Sequence, residues 1–370
     1  MRRHVALYRN IVKTFGWQAR PLATFALLNV RHAVSAATLA LDRLVVPEAL
    51  SRPLDRPIFI LGSPRSGSTF LHRTLVSSGE AAGYALWEML FPAVTARRLL
   101  GGAVDLIAPF NPARFHDPDA HDTGLRDVET DDAMLLFRFL DGPFLWSYFH
   151  AWQDHWGSAE CQRAFGLHGE STEDRARIFD YLDQCWRRNA YVRGGQRVVV
   201  KSSTFTLRVR QVLARWPDAR LVLIVRDPLE AIPSGMSMLE NVIARAYGPL
   251  EQRADADRRR WLENLYQASL QVYRQPYEEH QAGLIPPGSL HTVTYPQLIT
   301  DLEATIRRLM TFLDLPVSPA FEQQLREAAT QQRSHRSRHS YALERFGLTR
   351  ERILADLGFV YDGYGLARPR

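Results

Sequence analysis

The chain has 370 residues, 46% of them hydrophobic, which is enough to bury a sizeable core and excludes an intrinsically disordered protein. Lys and Arg number 46 against 40 Asp and Glu, and the resulting charge of +6 is spread without a basic tail, which suits an anionic small molecule and does not argue for nucleic acid. The only cysteines, Cys161 and Cys185, match no metal-ligand spacing, so two buried thiols in a reducing compartment are expected rather than a disulfide framework or a metal centre.

Residues 1–50 read as helical. Apolar runs from Tyr8 to Leu44 are mixed with Arg9, Lys13, Arg20, Arg31 and Arg43, and Pro47 and Pro53 mark the exit toward a first strand. Two readings fit: a helical hairpin against the main domain, or a basic, apolar surface lying in a membrane interface. No signal peptide with a small-residue cleavage site is read. No membrane span is expected, because Arg31 and His32 split the runs Pro21 to Val30 and Ala33 to Leu41 well short of the ~20 residues a bilayer needs. The domain reading is a helical extension over 1–52 followed by one α/β domain over 53–370.

The stretch from Pro57 to Gly79 organises that domain. Ile58 to Leu61 is a short apolar run of the kind a buried parallel strand requires, and a helix follows from about Phe70 with Leu71 and Leu75 on one face. Between them Gly62 to Thr69 has the spacing G-x-x-x-x-G-S-T of a phosphate-binding loop, whose glycines permit a tight backbone path and whose amides point at an anion. The lysine that a nucleotide triphosphatase carries after the second glycine is Ser68 here, and the cation sits inside the loop at Arg65. A guanidinium grips an oxyanion through paired hydrogen bonds where a lysine acts as a point charge, so the loop is suited to an anion other than a magnesium-bound triphosphate.

Downstream, Ala85 to Leu100 reads as a helix interrupted by Pro92, and 101–125 as a long irregular connection. Residues 129–156 are crowded with aromatics, among them Phe137, Phe139, Trp146, Tyr148, Phe149, Trp152 and Trp156. They are read either as core helices or as a wall of an apolar acceptor pocket, so 101–165 is a candidate lid and pocket insertion. Helices at Glu173 to Tyr191 and Thr206 to Trp216 alternate with strands at Arg197 to Val200 and Leu221 to Val225. A further long helix spans Ala254 to Glu279, followed by a strand at Leu290 to Val293 and a helix from Pro296 to Leu313. The fold class is therefore α/β, a P-loop-like parallel sheet flanked by helices, with ligands expected beyond the carboxyl ends of its strands. All but two of the 46 basic residues are arginine; Lys201, one of the exceptions, stands at such a strand end, as does Arg226.

Five segments taken together resemble, in order, the sulfotransferases that use 3′-phosphoadenosine 5′-phosphosulfate (PAPS). They are PRSGST at 64–69, WEMLFP at 87–92, RVVVKSS at 197–203, LVLIVRDPLEAIPS at 221–234 and RHSYALERFGL at 338–348. The resemblance covers residues 57–360 and leans to the bacterial branch and the tyrosylprotein sulfotransferases. It implies that Arg65, Ser66, Gly67, Ser68 and Thr69 hold the 5′-phosphosulfate, that Arg226 and Ser234 clamp the 3′-phosphate, and that Arg338 and His339 belong to a segment folding over the donor. Arg333 and Arg336 lie close enough in sequence to compete for that last role. Lys201 is implied to act on the bridging or sulfonate oxygens, and no metal is implied. For the base that accepts the acceptor's proton, Glu88 comes first, its pKa expected to be raised by Trp87, Met89 and Phe91; His121 is the alternative. Tyr295 resembles a family position, but the residue after it is Pro296 rather than the usual glutamate.

The function implied is transfer of a sulfonate from PAPS, leaving PAP, to a hydroxyl or less readily an amine of a small or lipid, amphipathic acceptor. The enzyme is expected in the cytoplasm with peripheral contact at the inner membrane surface through residues 1–50. The competing readings are a P-loop kinase-like phosphotransferase, against which the missing loop lysine and missing Walker B aspartate count, and a non-catalytic nucleotide-binding protein at the membrane surface.

Overall fold

The computed structural model describes residues 2–110, 124–128, 132–139, 142–166, 172–334 and 342–368. The chain forms two units: one of Met1–Leu54, Tyr84–Gln196 and Ser237–Gln267, the other of Asp55–Gly83, Arg197–Met236 and Ala268–Arg370.

The second unit carries the sheet. Its strands are β1 (Ile58–Gly62), β2 (Ala81–Ala82), β3 (Arg197–Lys201), β4 (Arg220–Val225) and β5 (Leu290–Thr294), in the spatial order β2-β3-β1-β4-β5. Every pairing is parallel; Ile60 stands beside Lys201 on one side and Val222 on the other. Because the strands are parallel, all their carboxyl ends lie along one edge, and the strand order reverses about β1, where open α/β sheets bind ligands. Both faces of β1 are buried, as its unbroken apolar run requires. Ile58 and Ile60 share a core with Val222, Ile224 and Val293 of the sheet, Leu71 and Leu75 of the helix Ser68–Ser77, and Ile306 and Leu309 of the helix Leu302–Phe312. Phe59 projects the opposite way and meets the rings of Phe205 and Trp216 at 5.6 and 5.5 Å.

In the first unit, α1 (Arg2–Phe15) and α2 (Ala19–Val45) form the expected hairpin, closed by Tyr8 donating to the Gln18 carbonyl at 3.3 Å and by His4 edge-on to Phe25. The separation of two apolar runs at Arg31 does not occur: α2 is one 27-residue helix, by length and composition able to cross a membrane. Arg31 is turned inward, only 8% exposed, so its charge does not interrupt the apolar outer surface. Pro92 does divide its segment, into the helices Leu86–Leu90 and Val94–Leu100. Gly101–Phe110, expected as irregular, winds as two 3₁₀ stretches separated by a kink at Ala103 (φ −127°).

The aromatic segment divides by residue. Trp146 and Trp152 are core: the Trp146 indole donates to Asp154 at 2.8 Å, and Trp152 stacks on Trp261 at 4.4 Å. Phe137, Phe139, Phe144 and Phe149 are only partly buried.

One carboxylate bonds α2 to both the helix Val94–Leu100 and the helix Thr172–Val192. Asp42, fully buried, accepts from the Val94 amide (2.8 Å), the Thr95 amide (2.9 Å) and hydroxyl (2.8 Å), and Nε of the equally buried Arg188 (2.7 Å). Burial alone would raise the Asp42 pKa, but the bonds from Thr95, Arg188 and Val94 outweigh it and hold the carboxyl below its ordinary 3.8. Asp42→Asn strands the Arg188 charge, and we expect a loss of about 3–5 kcal/mol in urea unfolding. In the wild type, the stability this carboxylate adds is complete above pH 3.8 and disappears as pH falls from there through the lower folded value; the Asn variant should lack that acid-side slope.

Candidate active site

The loop after β1 takes the path its glycines predict. Gly62 has φ +132° and Gly67 φ +94°; a Cβ on Gly62 would overlap the Ile224 carbonyl of the adjacent strand, and one on Gly67 would meet the Tyr295 ring at 3.1 Å. Arg65, with a side chain, is nevertheless held left-handed at φ +67°. Non-glycine residues tolerate that region only when their surroundings fix them there.

Those surroundings are specific. Arg65 Nε donates to Ser234 Oγ at 3.2 Å, and the Arg65 carbonyl accepts from Arg226 Nη1 at 2.9 Å. The Arg226 guanidinium lies 4.2 Å above the Tyr295 ring, and its backbone carbonyl accepts from Tyr273 OH at 2.9 Å. Tyr273 OH also lies 3.2 Å from Ser63 Oγ; since the phenol's proton is committed to Arg226, Ser63 is the donor of that second bond. Tyr361 OH donates to Asp227 Oδ1, which also receives the Leu229 amide. Burial pushes both phenols well above their ordinary pKa, with the bond to Asp227 adding to the rise at Tyr361, so each remains a donor.

Three of the sequence-predicted residues, Arg65, Arg226 and Ser234, are thus brought together. Lys201, last residue of β3 and buried, donates to Thr69 Oγ1 of the loop at 2.9 Å. Ser66, fully buried, has a hydroxyl with no protein partner, and the amides of Ser68 to Phe70 precede the first helical hydrogen bond, Leu71 to Gly67. Converging cations, an unsatisfied buried hydroxyl and orphan amides make a donor set that an oxyanion satisfies. Arg226 spends two further donors on Glu230 Oε2 at 2.8 and 3.0 Å, but Glu230 is more than half exposed, so this pair is worth about 1 kcal/mol or less and yields readily to an incoming anion.

Sequence reasoning missed Tyr273, Tyr361 and Ser63 and left Tyr295 without a role. Tyr295 follows β5 directly, as Arg226 follows β4, and that shared register was the available signal. Pro296 in place of a glutamate falls in the first turn of the helix Tyr295–Thr300, where its missing amide costs nothing; Gln297 caps the helix by accepting from the Thr294 amide at 2.9 Å.

Glu88 belongs to the first unit and is buried, but its setting is ionic rather than apolar. Both carboxylate oxygens accept from Arg193 Nη2 at 3.0 Å, Oε2 also accepts from the Ala85 amide at 2.8 Å, and Arg97 Nη1 lies 3.5 Å from Oε1. Trp87 and Phe91 pack elsewhere, in a cluster with Leu90, Ala93 and Val104. His121, Arg338 and His339 lie outside the described residues, as does Arg336.

The chain's residues 57–319 match a family model described as the sulfotransferase family. Omega-hydroxy-beta-dihydromenaquinone-9 sulfotransferases of Mycobacterium bovis and Mycobacterium tuberculosis are each 24% identical over 320 residues, covering 85% of this chain and 76% of theirs. Among solved structures, the sulfotransferase STF9 of Mycobacterium avium superposes with a TM-score of 0.71 at 16% identity, over 89% of this chain and 82% of that one. The sulfotransferase STF1 of Mycobacterium tuberculosis gives 0.63 at 18% identity, over 96% and 91%.

The two glycines should differ in their response to substitution. Gly62→Ala meets backbone that cannot move aside and should lose about 2–4 kcal/mol of stability, whereas at Gly67 the Tyr295 ring can tilt and Gly67→Ala should lose about 1–2 kcal/mol. Chemical denaturation of both variants beside the wild type checks the order; equal losses would contradict the close approach at Ile224.

Proposed function

The chain belongs to the sulfotransferase family, and from that premise we propose that it is a PAPS-dependent enzyme transferring a sulfonate to the hydroxyl of an amphipathic or lipophilic acceptor. The observation that carries this reading is the convergence of Arg65, Arg226 and Ser234 at the carboxyl edge of the sheet, beside Lys201 on Thr69. PAPS supplies the activated sulfonate, which leaves its 5′-phosphate oxygen for the acceptor oxygen. The chain's own residues do the rest. Arg65, the Ser66 hydroxyl and the amides of Gly67 to Thr69 hold the 5′ end, Arg226 and Ser234 hold the 3′-phosphate, and Lys201 offsets charge on the departing phosphate. Positioning and electrostatics of this kind suffice for in-line transfer without a metal. In this reading Arg338 and His339, in the segment 338–348, belong to a stretch that folds over the donor.

Glu88 is our first assignment for the base that takes the acceptor's proton, with His121 the second. The acceptor class is supported by the names of the two mycobacterial relatives, which describe a menaquinone acceptor for those proteins, and by the half-buried phenylalanines between 137 and 149. A cytoplasmic site of action suits Cys161 and Cys185, buried free thiols whose pKa values are pushed by burial to about 11 and about 12, which leaves them unreactive.

Incubation with isotopically labelled PAPS and a panel of hydroxylated lipids, sugars and phenols, read by mass spectrometry, should show sulfonate gained by lipids; gain on sugars alone would refute the acceptor class. Glu88→Gln should lower turnover by about 100-fold with PAP affinity unchanged, and Lys201→Ala should lower turnover as well. A fully active Glu88→Gln beside an inactive His121→Ala moves the base role to His121.

A further inference from the structure

The polarity of α2 is inverted. Between Arg20 and Arg43 every exposed residue of the helix is uncharged, and only Thr24 and Asn29 among them have polar side chains. The outer surface is Leu27, Val30, Val34, Leu41 and Leu44, at intervals of three, four and seven residues and joined by alanines, with Val30 62% and Leu44 80% exposed. The residues turned inward include the polar ones: Arg31, Ser35 and Asp42. A helix that faces water shows the opposite arrangement, so this surface is built for an apolar medium. It runs from Leu22 to Val45, roughly 35 Å at the helical rise.

Along residues 2–41 the charge has one sign. They contain Arg2, Arg3, Arg9, Lys13, Arg20 and Arg31 and neither Asp nor Glu. Arg9, Lys13 and Arg20 are exposed, and Trp17, in the turn between the two helices, is 72% exposed. A tryptophan beside basic residues at the end of an apolar stripe is the composition that settles at a lipid–water boundary.

We propose that the α1–α2 hairpin is a docking surface for a bilayer with anionic headgroups. α2 lies in the membrane plane with Val30, Val34 and Leu41 among the acyl chains, and Lys13, Trp17 and Arg20 sit at headgroup level. A second copy of the chain is a poorer occupant, because it brings the same positive charge to both sides of the contact. Spanning is excluded by the inward face. It would carry Arg31 into hydrocarbon and strip Asp42 of its bonds to Val94, Thr95 and Arg188.

The test is flotation of the full-length protein with vesicles of phosphatidylcholine alone or mixed with phosphatidylglycerol, beside the exposed-site variants Val30→Glu, Val34→Glu and Leu41→Glu. The wild type should float with the anionic vesicles, less with neutral ones and less as salt rises, and each variant should bind about tenfold more weakly. Four outcomes overturn the proposal: wild type left in the soluble fraction with anionic vesicles at low salt; variants that float as well as wild type; membrane association that resists carbonate extraction, which indicates a span; or a dimer dissolved by these substitutions without vesicle binding, which indicates self-association. Flotation requires neither donor nor acceptor, so its failure leaves the sulfonate-transfer reading standing, and failure of that reading leaves the docking surface standing.

Discussion

The Ile224 carbonyl occupies the space that a side chain at residue 62 would need, and the geometry of the donor site follows from that approach. Parallel pairing of β1 with β4 sets Gly62 beside Ile224, so the chain must leave β1 through a glycine and turn at once. The turn places Arg65 in a left-handed conformation from which its Nε reaches Ser234 and its carbonyl receives Arg226. Arg226 is itself fixed from three sides, by Tyr295 beneath it, Tyr273 on its backbone carbonyl and the Arg65 carbonyl on Nη1. Cations arranged this way are positioned before any ligand arrives, which reduces the ordering a bound anion would otherwise have to impose.

The sequence disclosed what is local. The run Ile58 to Leu61, the spacing Gly62 to Thr69 and the placement of Lys201 and Arg226 at strand ends depend on neighbours a few residues away, and strands β1, β3, β4 and β5 appear within a residue or so of where periodicity puts them. What stayed hidden is non-local. Ser63 and Tyr273 are 210 residues apart and Asp227 and Tyr361 are 134 apart, and nothing in the composition around these tyrosines distinguishes them from core residues. β2 is two alanines, too short to show any alternation.

Two of the departures from expectation have a common cause. A window along the sequence counts a charge as an interruption and an apolar neighbour as an apolar environment, yet helix geometry separates adjacent side chains by about 100°. Arg31 therefore turns inward along the buried side of α2, and Trp87, adjacent to Glu88 in sequence, packs in the Leu90–Val104 cluster while Arg97 and Arg193 close on the carboxylate. The Glu88 carboxylate is held in place by two guanidiniums and the Ala85 amide, so its orientation is determined by charge rather than by packing.

Calorimetric titration of the full-length protein with PAP in the presence of a metal chelator tests the central claim most directly. The account predicts saturable binding that survives the chelator, is not matched by ATP with magnesium, and weakens by about 2–4 kcal/mol in Arg226→Ala. Binding that requires a divalent ion, or equal affinity for ATP with magnesium, would contradict it.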